Sequence, residues 1–201
     1  MGWTVQYGGT RRGTISELTR GWEGDNNIVK CLAKQFKGNA FSGTLYAVFE
    51  TTPKDCSKPS YRWIFVALMR YYPGRDGGWG YKDMDETCGP CEVSCPLKYL
   101  EMAGPLPEGD KSYAGGWRES VRKYWDERRA GAAFAKTLKV GDKFMSKKSG
   151  GVFIYQENSI HKGSIIGREE DGFASYRIKK VDIRPVPAAK LAPPSLQEQG
   201  A

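Results

Sequence analysis

The chain contains no apolar run near the ~18 residues that a helix needs to cross a bilayer. Its opening residues, Met1-Gly2-Trp3-Thr4, show neither the basic patch nor the apolar stretch of a secretory signal. Both absences argue against membrane insertion and secretion and predict a cytoplasmic protein. Histidine is almost missing, with His161 the only one in 201 residues. Ser-His-Asp or Cys-His catalysis must therefore use His161 or be absent. Its setting, Ser159-Ile160-His161-Lys162-Gly163, reads as an exposed turn. The five cysteines are an odd number, which does not fit a closed disulfide framework, and without a secretory signal they are expected as reduced thiols. No internal repeat is present.

Positive charge is in excess: 31 Lys and Arg stand against 23 Asp and Glu, a formal charge of +8. Apolar residues make up 39% and charged residues 27%, which excludes a disordered or fibrous chain and allows a sizeable core. The excess is concentrated. Between Arg118 and Lys148 there are ten Lys or Arg against four Asp or Glu, which gives +6 of the net charge. A basic segment of this kind is an electrostatic footprint for an anionic partner, and equally the solvated side of an amphipathic helix. On the first reading, Arg118, Arg122, Arg129, Lys147 and Lys148 track phosphates, with Tyr155 or Phe153 stacking on bases.

The pattern along the chain predicts an α+β fold. Thr14-Ile15-Ser16-Glu17 has capping-box spacing and predicts a short helix towards Trp22. Asn27–Lys37 is ambiguous, because Ile28, Leu32 and Phe36 recur every four residues over a short stretch. Thr44–Thr52 and Tyr61–Tyr72 read as an antiparallel pair of strands, the second central because its apolar run is nearly continuous. Pro73–Gly80 reads as a glycine-rich loop. Pro96 is expected to open a short helix. Tyr113 to about Ala135 is a helix with Trp117, Val121, Tyr124, Trp125 and Arg128 on one face. Short strands at Val140–Phe144, Val152–Tyr155, Ser164–Gly167 and Phe173–Ile178, divided by glycine turns, predict a small C-terminal SH3-like β-barrel. The expected segments are an α+β domain with a cysteine turn (1–110), a linking basic amphipathic helix (111–136), the barrel (137–187) and a disordered Pro/Ala-rich tail (188–201).

The sharpest local signal is Thr87-Cys88-Gly89-Pro90-Cys91-Glu92-Val93-Ser94-Cys95-Pro96. Cys88-Gly89-Pro90-Cys91 is similar to the thioredoxin box, whose chemistry needs a low-pKa thiolate at a helix N-terminus and a resolving thiol. The preceding Trp and the βαβ entry of that context are absent. A second reading is zinc held by Cys88, Cys91 and Cys95 with Cys56 or His161 as fourth ligand, although structural sites draw on two separated pairs. The third, preferred here, is small buried residues beneath a Gly-Pro turn. Upstream, Asp83, Asp85 and Glu86 offer carboxylates for a divalent ion, but no later residues nominate partners, and solvated charges are the simpler reading.

Three features together resemble an uncharacterised protein family carried by phages and other mobile elements. They are Met1-Gly2-Trp3-Thr4, Gly80-Tyr81-Lys82-Asp83-Met84-Asp85-Glu86 leading to Gly89-Pro90-Cys91 and Cys95-Pro96, and Trp117-Arg118-Glu119. In that family the pattern centres on Gly-Pro-Cys-x3-Cys-Pro, so Cys88 is an addition, and the attacking thiol of a redox box falls outside the shared motif. The resemblance brings no activity; it implies an accessory role such as interference with a host nucleic-acid-targeting defence system. The expectation is a protein that acts by binding nucleic acid, or a host complex that holds it, and not by catalysis. A metal- or thiol-dependent enzyme centred on Cys88, Cys91 and Cys95, and a virion or assembly component, are the alternatives.

Overall fold

A computed structural model describes residues 3–74, 76–187 and 190. The described residues form an α+β fold, with antiparallel sheets and three α-helices among them. It divides into two compact units, Met1–Tyr124 and Trp125–Ala201. The expected tail at 188–201 lies outside the described residues apart from Lys190. Among the described residues, no helix is long and apolar enough to cross a membrane.

The first unit contains β1 (Thr4–Tyr7), α1 (Arg11–Leu18), β2 (Trp22–Glu23), β3 (Asn27–Gly38), β4 (Ser42–Pro53), β5 (Tyr61–Tyr72) and β6 (Gly78–Asp85). These strands form one six-stranded sheet in the order β1-β6-β5-β4-β3-β2. β4 and β5 are its centre and are buried on both faces, which explains their continuous apolar runs. Leu45, Ala47, Phe49, Phe65, Ala67, Met69 and Trp79 form the core of one face, with Ile15 and Leu18 of α1 packed against it. By strand alternation Tyr46, Val48, Ile64 and Val66 point the other way. There the Tyr46 hydroxyl shares a 2.9 Å hydrogen bond with Ser94, and α2 (Leu97–Ala103) packs on β4 and β5 through Tyr99, Leu100 and Ala103.

Three local expectations are corrected. The first helix starts at Arg11, because the Thr10 hydroxyl caps Gly13 N at 3.0 Å; Thr14 is fully buried inside the helix and donates to Gln6 Oε1. The ambiguous 27–37 stretch is a strand. Its register shifts between Cys31 and Ala33, so Val29 and Cys31 face the core before the bulge and Phe36 faces it afterwards. The bulge residue Leu32 is exposed, and the slip turns Phe36 to the core face while Ile28 stays exposed, so the four-residue spacing marks no common face. Gly78–Gly80 is strand and not loop: a Cβ on Gly80 would sit 2.5 Å from the Tyr72 ring, so the glycine admits an aromatic from the neighbouring strand.

The boundary between the two units falls inside α3 (Ala114–Phe134), not at its ends. Its first half contributes Ala114, Trp117 and Val121 to the first unit. The second unit also has β7 (Lys143–Ser146), β8 (Val152–Asn158), β9 (Ser164–Glu169), β10 (Ser175–Lys179) and β11 (Ile183–Arg184). They form a five-stranded antiparallel sheet in the order β10-β9-β8-β7-β11. Phe144, Phe153, Tyr155, Ile165, Ile178, Ile183 and Ala135 make its core. β11, not expected from the sequence, follows a 3-10 turn at Lys180–Asp182 and pairs with β7. Within this unit Gly131 of α3 lies against main chain, where a Cβ would meet Val181 O at 2.8 Å and Ile183 O at 2.9 Å.

Candidate functional site

Of the residues assigned to phosphate contact, Arg118 is withdrawn from solvent. It is 2% exposed and pairs with Glu86, itself 1% exposed. Arg118 Nε donates to Glu86 Oε2 at 2.5 Å and Nη2 to Oε1 at 2.7 Å, while Nη1 donates to Gly104 O. Oε1 also accepts from Ile64 N at 3.1 Å. All polar groups of this pair are thus satisfied, and it ties α3 and the end of α2 to the strand β5. Arg118 occupies the i+4 place in the stripe Ala114, Trp117, Arg118, Val121, spacing that marks a buried helix face. That spacing is the signal by which the sequence could have placed it inside.

Tyr155 and Phe153 are also corrected. They are 7% and 6% exposed, belong to the core of the second unit, and have no ring face to offer a base. Arg122 is exposed on the first half of α3. In the second unit Arg129 is exposed and paired with Asp126, Lys147 Nζ donates to Glu127 O at 2.7 Å, and Lys148 is exposed. Only part of the expected basic surface therefore has unengaged charge.

The cysteines do not converge. Cys88 ends a 3-10 turn at Glu86–Cys88, and Cys91 lies in irregular chain before α2; both are exposed, whereas Cys95 is fully buried. The expectation of uniform burial therefore holds for Cys95 alone. Burial pushes its thiol up to about 12, so it is neutral and unreactive in the folded chain. Neither exposed thiol sits at the start of an α-helix, as thioredoxin-type chemistry requires. Cys56 is exposed in the loop after β4, and His161 lies in the β8–β9 turn. Among the described residues no three His, Cys, Asp or Glu side chains converge to hold a metal ion. The three carboxylates are likewise divided: Glu86 is consumed by Arg118, Asp85 accepts from Thr87 N at 2.8 Å, and Asp83 is exposed on β6.

The second sheet carries cations that the sequence reading overlooked. Arg168 on β9 and Arg177 and Lys179 on β10 are exposed. The register pairs Ser175 with Arg168, Arg177 with Ile166 and Lys179 with Ser164, so all three side chains share the face opposite Ile165 and Ile178. Lys143 joins the row through its pairing with Ile154, which in turn faces Arg168, but it is tied to Glu170. Among the described residues Arg168, Arg177 and Lys179 have no ion-pair partner. The alternation Arg177-Ile178-Lys179 was the available sequence signal.

In comparisons with known proteins, no family model matches the chain, and no curated protein and no solved structure is significantly similar to it.

Proposed function

We propose that the chain is an accessory protein of a phage or other mobile element, working inside the host cell by binding nucleic acid or a host complex that holds it. The observation that carries this reading is the unpaired, exposed row Arg168, Arg177 and Lys179 on one sheet face. Residues 125–201 hold fourteen Lys or Arg against nine Asp or Glu, so the row lies in the more basic unit. Cations spaced along adjacent strands can follow a phosphate backbone without reading bases, which predicts binding with little sequence preference. Lys148, on the turn after β7, is a further exposed cation of the same unit. The SH3-like barrel belongs to the same reading: a four-strand meander, a 3-10 turn and a return strand beside β7 support it.

The test is fluorescence anisotropy with a labelled single-stranded oligonucleotide and the matching duplex. The double reversal Arg168→Glu/Arg177→Glu is expected to weaken binding at least about tenfold, as the loss of phosphate contacts demands. The same reversal at exposed Lys111, in the first unit, leaves it unchanged. Equal binding by wild type and double variant overturns the reading.

A further inference from the structure

The first sheet leaves part of its α1-bearing face open, and the residues there differ in character from the rest of this basic chain. The register aligns Trp22 with Val29, Cys31 with Phe49, Phe49 with Trp63, and Phe65 with Asp85, so these side chains share one face. α1 covers the neighbouring part through Ile15 and Leu18. Beyond Leu18 two adjoining cavities open, about 500 and 370 Å³, with Trp22, Trp63 and Asp85 in the walls of both.

The walls are aromatic. Trp63 stacks on Phe49 with ring centroids 4.9 Å apart, and Trp22 leans on Phe49 at 5.9 Å. Trp63 Nε1 donates to Thr51 Oγ1 at 3.1 Å, which fixes the indole plane. Trp22 and Tyr61 are 51% and 49% exposed, so large ring surface is offered to solvent where a folded chain normally hides it. The rim is acidic: Asp25, Asp83 and Asp85 line the cavities, and among the described residues no Lys or Arg does, in a chain with 31 of them. Nearby Glu23 is held below the ordinary carboxylate range by its hydrogen bond and charge contact with Lys54.

We propose that this groove binds a cationic side chain, arginine or lysine, presented by a basic peptide segment of a partner protein. Indole and phenol rings present negative faces to a cation, and carboxylates around them supply hydrogen-bond acceptors and opposite charge. Phosphate-bearing ligands are disfavoured at the same place, because three carboxylates repel them. A bare metal ion has no use for the ring surface, whereas a guanidinium with its aliphatic stem uses both ring and carboxylate. Two adjoining cavities that share Trp22, Trp63 and Asp85 suit a segment with more than one side chain better than a single small cation. The site is independent of the cationic row on the second sheet and differs from it in charge sign.

The experiment titrates the full chain with three peptides of identical length, Gly alternating with Arg, Lys or Glu, and follows binding by calorimetry and tryptophan fluorescence. Exposed Trp22→Ala and Asp83→Asn are the variants, each checked for an unchanged thermal midpoint. Asp25→Asn, in the β2–β3 turn, is the substitute should Trp22→Ala fail to fold. The Arg or Lys peptide is expected to bind and the Glu peptide not to bind. Each variant is expected to weaken the cationic peptide by about tenfold, the loss of one desolvated cation–ring or charge-assisted contact. Binding that is indifferent to both variants overturns the proposal, as does equal affinity for the Glu peptide. Arginine amide alone binding as tightly as the peptide also overturns it, by showing a small-cation site, and so does a neutral oligosaccharide binding in place of the peptide.

Discussion

Replacing Arg118 by Ala removes the partner of a carboxylate that cannot reach water. The Glu86 and Arg118 side chains are 2% and 3% exposed, and the arginine supplies two of the three hydrogen bonds that Glu86 accepts. After the substitution Glu86 keeps only the Ile64 N–H. Breaking a buried pair in this way costs about 3–5 kcal/mol, because a charge is left uncompensated. At the usual entropy of unfolding this lowers the midpoint of the first unit by roughly 10–20 °C. Glu86→Gln/Arg118→Met leaves an amide oxygen for Ile64 and no buried charge, so most of the loss is recovered. The assay is thermal and urea unfolding of the three proteins by tryptophan fluorescence and circular dichroism. An Arg118→Ala chain within about 1 kcal/mol of wild type refutes the reasoning, since that is the range of an exposed pair.

Three further outcomes follow from the same geometry. Thiol titration of the native chain consumes Cys56, Cys88 and Cys91 quickly and Cys95 only on unfolding; rapid reaction of a Cys95-only variant contradicts the burial. Because folding holds the Cys95 thiol up from 9.0 to about 12 and the Tyr46 hydroxyl up from 10.0 to about 12, the unfolded chain gives up these protons first. Their contribution to stability is complete below pH 9 and falls as pH rises from 9 towards 12, by roughly 1.4 kcal/mol per pH unit for each group. Between pH 9 and 10 the two thiols that burial raises, Cys95 and half-buried Cys31, act ahead of Tyr46, so Cys95→Ala makes the urea-midpoint profile shallower there; parallel profiles refute this. Gly131→Val drives a side chain into carbonyl oxygens 2.8 and 2.9 Å from its Cβ position, costing about 1–3 kcal/mol. Hydrogen exchange is expected to rise across β7–β11 and stay unchanged in β4 and β5; unchanged exchange in both contradicts the packing.

Strands β4 and β5 were legible because their apolar runs outlast any competing pattern, and α3 because its stripe holds over several turns. The stretch 27–37 stayed ambiguous because Ile28, Leu32 and Phe36 lie four apart, a spacing that suits a helical turn and twice the strand repeat alike, and nothing local marks the bulge. Arg118 misled for a different reason. A long cation on a helix is usually solvated, and its burial depends on Glu86, 32 residues away, meeting it across the fold. The exposed cations on β9 and β10 were hidden by attention to the denser charge at 118–148, although strand alternation already put Arg177 and Lys179 on one side. The aromatic groove could not be read at all, since its walls come from β2, β4, β5 and β6 and only the sheet register brings them to one face.

The most direct test of the binding account is the salt dependence of single-strand affinity for the wild type and for Arg168→Glu/Arg177→Glu. With three to four cations of the second sheet on phosphates, log K falls against log salt with a slope of about −2 to −3, and the variant's slope is shallower by more than 1. A slope near zero, or one that the variant leaves untouched, contradicts the claim that this sheet face is where the chain meets nucleic acid.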